Sequence, residues 1–376
     1  MRVEKTELSV LVINTVEFKK GGMSTVIMNY FENIDKSRIH MDFVVNRRIE
    51  EEYKNELEAN GSKVYLLERN AEPVKYFFRL LAIISKKKYD IVHVHGNSCT
   101  MAIELIAAMF CGCKRRIAHS HNSTCGHKTI HRLLKHLFEI SCTDCLACSI
   151  EAGEWLFRGK EYTIVENALN LELYRFDIER RKDIRKRIQV EETDILLGHV
   201  GHFNEQKNHR FIVDIFNKLH TDGLPYKLIL VGEGDEKEET ERYVRQKNLE
   251  NLVFFYGITR DIAGVMSAMD IFLFPSKWEG LGIVMLEAQL TGLPCIASKA
   301  VPEATRISDN CEYLELSAPL EIWCDAVRKM HNRKVNRLEV EISREGKKRF
   351  DIKEQVGKLE NIYFRKSKYN FLKTQI

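Results

Sequence analysis

Strand-length runs rich in β-branched and other apolar residues alternate with amphipathic stretches from one end of the chain to the other. No other feature constrains the fold as tightly. In the first half the runs are LSVLVINTV, MDFVVN, KVYLL, DIVHVHG, RRIAHSH, CLACS and YTIVEN, separated by helical patterns such as VKYFFRLLAIISKKK. In the second half they are DILLGHVG, YKLILVGEG, LVFFYG, IFLFPS and PCIAS. Near-continuous apolar strands with helices between them mean parallel sheets covered on both faces, so the fold class is α/β. At 376 residues the chain exceeds one ordinary core, and the pattern predicts two doubly wound, Rossmann-like domains facing each other across a cleft. Residues 1–175 make the first domain and residues 193–352 the second. Residues 176–192, dense in charge and poor in apolar stripe, read as a surface linker. Residues 353–376 read as a terminal helix packing back across the domains.

Composition narrows the class. Hydrophobic residues at 44% and charged residues at 30% describe a folded chain, with no disorder signature. The balance of 58 basic to 54 acidic side chains, a net charge of +4, excludes nucleic acid as the partner implied by bulk charge. The apolar run near the N-terminus is too short for a signal peptide core, and MAIELIAAMFCGC carries Glu104 and falls short of the roughly 20 residues a membrane helix needs. A cytoplasmic protein is expected. The 10 cysteines then sit in a reducing compartment. Cys142, Cys145 and Cys148 have the spacing of a metal site, but DCLACS reads as a short buried strand that would turn Cys145 and Cys148 to opposite faces, and no metal is assigned.

Chemistry concentrates at strand ends, where open α/β sheets bind ligands. In PSKWEGLGIVMLEAQLTGLPCIAS a strand runs out at Pro275, a glycine-bearing loop follows, and a helix begins near Gly282. Gly280 and Gly282 permit close backbone approach, and the N-terminus of the new helix offers free N–H groups to a diphosphate. Glu279 stands in that loop. Glu287 falls inside the helix, where a buried carboxylate needs hydrogen-bond donors such as ribose hydroxyls.

This element resembles the signature of the retaining family 4 glycosyltransferases of the GT-B fold, a Glu, seven residues and a second Glu in a loop–helix context. The resemblance implies that Glu279 lies near the transferred sugar, that Glu287 holds the nucleotide ribose, and that the backbone of Gly280, Leu281, Gly282 and Ile283 receives the phosphates. In LLGHVGHFNEQKNHRFIVDIF, Lys207 matches the family's phosphate-binding lysine, while His202 stands where the family usually has an arginine. The glycine pair Gly21 and Gly22 in KKGGMSTVIMNY resembles the family's turn near the donor phosphates and acceptor. RRIAHSHNS supplies His119 and His121, of which His121 aligns with the family's histidine at the donor sugar. His93 and His95 end a neighbouring strand. Gly232 and Gly234 in VGEGDEKEE and Asn167 in VENALN also resemble family landmarks, Gly234 as a nucleotide contact. Glu279, His121 and Lys207 are thus the catalytic candidates.

What the resemblance implies is a retaining transfer of a hexosyl or N-acetylhexosaminyl group. The donor is a nucleotide sugar. The acceptor is a glycan or lipid-linked saccharide, in cell-surface polysaccharide synthesis. No Asp-x-Asp dyad is present, so no cofactor or metal is expected and protein cations must meet the diphosphate. The segment TIHRLLKHLFEI places Ile130, Leu133, Leu134, Leu137 and Phe138 on one helical face beside basic residues. Core packing and peripheral contact with anionic membrane at the inner face both account for it. A nicotinamide dehydrogenase is disfavoured because GGMSTV lacks the G-x-G-x-x-G spacing. A sugar-nucleotide epimerase or a catalytically silent partner subunit are the remaining alternatives.

Overall fold

All seven strand-length runs of the first half form strands, namely β1 Leu8–Asn14, β2 Ile39–Asn46, β3 Val64–Leu67, β4 Ile91–Gly96, β5 Arg115–Ser120, β6 Asp144–Ala147 and β7 Thr163–Ile164. They pair in parallel in the order β3-β2-β1-β4-β5-β6-β7. The second half forms β8 Ile195–Val200, β9 Tyr226–Val231, β10 Val253–Gly257, β11 Ile271–Phe274, β12 Cys295–Ser298 and β13 Cys311–Leu314, ordered β10-β9-β8-β11-β12-β13. Both sheets reverse direction beside their first strand, the topological switch point of Rossmann-like sheets. The computed structural model describes residues 7–19 and 22–365. It divides into two units, Met1–Leu169 with Arg349–Ile376, and Asn170–Lys348.

Side-chain alternation builds the second unit's core on both faces of its sheet. Leu197, Leu228 and Leu230 pack with the helix His209–Thr221 through Ile212, Val213 and Phe216. Their neighbours Leu196, Ile229 and Val231 pack on the other face with Val265, Met266 and Met285. Burying each such side chain contributes about 1.5–3 kcal/mol. The strand β13 escaped the sequence reading. CEYL is short, pairs only with β12 at the sheet edge and alternates buried with half-buried residues, so it carries little apolar signal.

The charged stretch read as a linker is a packed part of the second unit. Asp177 caps the helix Ile178–Arg187 by accepting from the amides of Glu179 and Arg180. Arg185 is 1% exposed and donates to Ala268 O at 3.0 Å and to Asp270 Oδ2 at 3.1 Å. Arg181 reaches Asp270 Oδ1 at 2.8 Å. These guanidinium groups satisfy carbonyls and a carboxylate, so the helix docks without the apolar stripe that periodicity detects.

The chain returns to the first unit at its end. The helix Ile352–Phe364 packs on the helix Gly22–Asn33, and Arg115 Nη1 donates to the carbonyls of Ile362 (2.7 Å) and Tyr363 (2.6 Å), satisfying acceptors in its last turn. Residues 366–376, the rest of the expected terminal helix, lie outside the described residues. Among the described residues no helix is long and apolar enough to cross a membrane.

The 10 cysteines are free thiols. Cys142 and Cys145 bring their sulfurs within 3.7 Å of each other, whereas Cys148, just beyond the end of β6 at Ala147, lies by Glu166 and Tyr30.

Candidate active site

In the second unit two loops are strapped together beyond the ends of β8 and β11. Asn208 Nδ2 donates to Pro275 O at 3.2 Å, the amide of Lys277 donates to Gln206 O at 2.8 Å, and Gln206 Nε2 donates to Trp278 O at 2.8 Å. Asn208 adopts a left-handed conformation (φ 58°) that turns the chain into the following helix, a role asparagine tolerates. This strapping brings Lys207 to Glu279. Lys207 Nζ donates to Glu279 Oε1 at 2.6 Å, with the two side chains 15% and 6% exposed. The ammonium also lies 4.7 Å from the Phe274 ring centroid, a cation–π contact.

Gly282 follows in a left-handed conformation (φ 82°) as N-cap of the helix Ile283–Leu290. A side chain there would press on Phe274 at 3.1 Å and suffer the positive φ, so glycine is favoured, chiefly by its backbone conformation. Gly280 is half-buried and Leu281 buried in the same turn. The first amides of this helix have no partner within it and carry its positive dipole end. Glu287 is buried one turn inside, and burial raises its pKa to about 7 while a hydrogen bond from Tyr174 opposes the shift. Tyr174 Oη donates to Glu287 Oε1 at 2.8 Å. Tyr174 carries no signal of this role in its local sequence. Its partner is 113 positions away, and no local pattern joins them.

His202 is exposed beside this site. Two histidines not singled out from sequence lie beneath it. His199, on β8, is fully buried with Nδ1 against Leu273 O at 2.8 Å, and His209 stacks on Phe203 with centroids 3.9 Å apart. Burial keeps both neutral, pulling His199 down to about 3 and His209 to about 2. Gly234 and Gly232 have a packing role. A side chain at Gly234 would stand 2.3 Å from Phe203 O and one at Gly232 2.1 Å from Gly201 O, so these glycines let the β9 loop lie directly on the β8 loop.

The first unit carries a stack of imidazoles at the ends of β4 and β5. His95 and His119 are register partners. Ring centroids are 4.2 Å apart for His93 and His95, 4.3 Å for His119 and His121, and 5.1 Å for His95 and His121. His119 and His121 thus face the same side. His95 Nδ1 and His121 Nε2 share a hydrogen bond of 2.8 Å, and His93 Nδ1 meets Tyr363 Oη at 2.7 Å. Burial lowers the pKa of all four, His121 to about 4. His93 Nε2 is buried without a hydrogen-bond partner, while Val165 and Asn167 lie against His119 and His121. His93, His95 and His119 offer three nitrogens within 4.8 Å of one another. A zinc ion at ~2.1 Å from each ligand needs nitrogens no more than ~4.2 Å apart. The rings stack instead of converging, and no carboxylate or thiolate joins them in that group.

Gly22 opens the helix Gly22–Asn33 with φ 55° and is exposed. Gly21 lies outside the described residues.

Residues 180–312, which contain the Lys207, Glu279 and Glu287 elements, match the family described as glycosyl transferases group 1. That stretch is similar to the group 1 glycosyltransferases, as is the chain as a whole to bacterial polysaccharide glycosyltransferases. The putative glycosyltransferase EpsF of Bacillus subtilis is 29% identical over 92% of this chain and 93% of its own. An Escherichia coli enzyme, UDP-Gal:alpha-D-GlcNAc-diphosphoundecaprenol alpha-1,3-galactosyltransferase, is 29% identical over 60% of this chain and 62% of its own. Among solved structures, Anabaena HepE in complex with UDP and glucose superposes with a TM-score of 0.77 at 18% identity, covering 95% of this chain and 99% of that one. The shared architecture is the GT-B fold of the glycosyltransferases.

Proposed function

We propose that this glycosyltransferase moves a hexosyl or N-acetylhexosaminyl unit from a nucleotide-diphosphate donor to a lipid-linked saccharide in surface polysaccharide synthesis, with retention of configuration. The observation that carries the reading is the convergence of Lys207 and Glu279 beside the Gly280–Ile283 turn, with Glu287 buried in the helix that follows. The E. coli relative, whose name gives a UDP-sugar donor and a diphosphoundecaprenol-linked acceptor, supports both substrate classes, and the UDP bound by HepE supports the nucleotide.

In this reading the diphosphate leaves the anomeric carbon while Lys207, the amides of the turn and His202 stabilise its charge, the term that usually contributes most to catalysis. The acceptor hydroxyl attacks from the same face, and its proton passes to the departing phosphate oxygen. Glu287 accepts from the ribose hydroxyls. Glu279 and His121 address the transferred sugar. Gly21, Gly22 and Gly234 serve as backbone approaches to the donor. Protein groups alone fill the role of a cation.

The reaction fits a protein working at the inner face of the cell membrane. On the helix Lys128–Ser141, Phe138 enters the core, but Ile130, Leu133, Leu137 and Ile140 are 47%, 75%, 42% and 53% exposed. Lys128, Arg132 and Lys135 flank that apolar face, as in helices that lie on anionic bilayers.

The test is donor turnover by the purified protein with UDP-glucose, UDP-galactose and UDP-N-acetylglucosamine, comparing wild type with Glu279→Ala and Glu287→Ala. Cleavage of one donor, lost in both variants, is expected. Folded protein that turns over none of them with lipid-linked acceptor present would favour the silent-partner reading, which the exposed His202 in place of an arginine keeps in view.

A further inference from the structure

We propose that Cys142 and Cys145 are a site of reversible oxidation, Cys145 being the thiol that reacts with a hydroperoxide and Cys142 the thiol that converts the product into a disulfide. Neither has a part in the transfer proposed above. The helix Lys128–Ser141 ends at Cys142, whose amide donates to Phe138 O at 3.0 Å, the chain bends at Thr143, and β6 begins at Asp144. This bend brings the two sulfurs to 3.7 Å, in contact and sharing a hydrogen bond. A bond between them needs an approach of only about 1.7 Å.

The surroundings give the two thiols different roles. Cys145 is half-buried and Cys142 buried. The hydrogen bond from Cys142 lowers the pKa of Cys145, and the Lys160 ammonium lowers it further, against burial and the Asp144 carboxylate. Lys160 is held by Glu139 O at 2.7 Å, and Asp144 is already paired with Arg115 at 2.9 Å. The same hydrogen bond and burial push Cys142 up, although Arg116 of β5 lies beside it. An accessible thiol of lowered pKa next to a second thiol is the arrangement of cysteines that oxidise selectively and reversibly. Cys295 and Cys311 also share a hydrogen bond, as register partners on β12 and β13, but both are buried.

The oxidant is a hydroperoxide. The Cys145 thiolate attacks one peroxide oxygen, the S–O bond forms, the O–O bond breaks, and the departing oxygen takes up a proton. The Cys142 sulfur then attacks the Cys145 sulfenic acid, the S–S bond forms, the S–O bond breaks, and water leaves with the Cys142 proton. Two thiols lose two electrons and the peroxide gains them. The second step stops Cys145 short of irreversible oxidation.

The experiment treats the reduced full chain with hydrogen peroxide at neutral pH, blocks remaining thiols with N-ethylmaleimide, and maps the peptides of wild type, Cys142→Ser and Cys145→Ser by mass spectrometry. The wild type is expected to form a Cys142–Cys145 disulfide that dithiothreitol reverses, at least ~tenfold faster than the half-buried Cys111 and Cys125 oxidise, with Cys295 and Cys311 left reduced. Cys142→Ser should trap a sulfenic acid at Cys145, captured by dimedone, and Cys145→Ser should leave Cys142 reduced. Alkylation of Cys145 in the wild type should rise with pH through an inflection below the ordinary thiol range. A pair still reduced after treatment, a bridge from Cys145 to Cys148, or oxidation of Cys145 no faster than that of Cys111 and Cys125 would overturn the proposal, and each of these is read on the wild type, whatever the folding of the variants.

Discussion

Lys207 and Glu279 stand 72 positions apart in sequence and share a hydrogen-bonded ion pair of 2.6 Å, largely withdrawn from solvent. In the proposed reading, the ammonium that meets the diphosphate is thus held in place by the carboxylate that meets the sugar. Each orients the other before a donor arrives, which lowers the reorganisation needed in the transition state.

The pair predicts strong non-additivity. Breaking a buried pair by removing one partner costs about 3–5 kcal/mol, because the other charge is left uncompensated. Lys207→Met and Glu279→Leu are each expected to destabilise the protein toward the lower end of that range, and the double variant by clearly less than their sum. Urea unfolding of the four proteins measures the coupling. Simple additivity would mean that the pair is not held in solution.

Glu287 predicts a pH dependence. Its folded pKa of about 7 lies above the ordinary 4.5 because burial penalises the charged form. Its contribution to stability is therefore fully present below about 4.5 and is lost as pH rises through about 7. In the proposed reading donor binding runs the other way, since the ionised carboxylate is the better acceptor for ribose hydroxyls. UDP affinity should rise between pH 6 and 8 with an inflection near 7, absent in Glu287→Gln. Tyr174→Phe removes the hydrogen bond that opposes the shift and should move the inflection upward. Calorimetric titrations across this range would expose an inflection unmoved by Tyr174→Phe.

Gly234 predicts a backbone clash. Alanine there would place its Cβ 2.3 Å from Phe203 O, whereas Gly223, also at positive φ, has nothing within 4 Å. Gly223→Ala should cost about 1 kcal/mol from conformation alone. Gly234→Ala should cost at least twice as much and lower the melting temperature further. Equal shifts in thermal unfolding would show that the β8 and β9 loops are not in contact.

The helix Lys128–Ser141 predicts lipid binding. Leu133→Glu and Leu137→Glu replace exposed apolar side chains and should leave folding intact while reducing binding to phosphatidylglycerol vesicles several-fold. Co-sedimentation is the measurement, with neutral vesicles as the comparison. Unchanged sedimentation of the double variant would assign the exposed face another role.

Much of this architecture is written locally. Among the described residues, 12 of the 13 strands were legible because apolar periodicity is a property of adjacent residues. The Glu279 and Glu287 elements were legible because a strand, a glycine turn and a helix follow one another within a single stretch. What tertiary structure alone decided are the pairings between distant stretches. It set Lys207 against Glu279, turned Tyr174 toward Glu287, stacked four histidines from two strands, and buried Arg185 in a helix whose sequence reads as solvent-facing. Periodicity reports which face of an element is apolar. It does not report which polar group another element brings to that face, because that choice is made by hydrogen bonds formed only once both elements are packed.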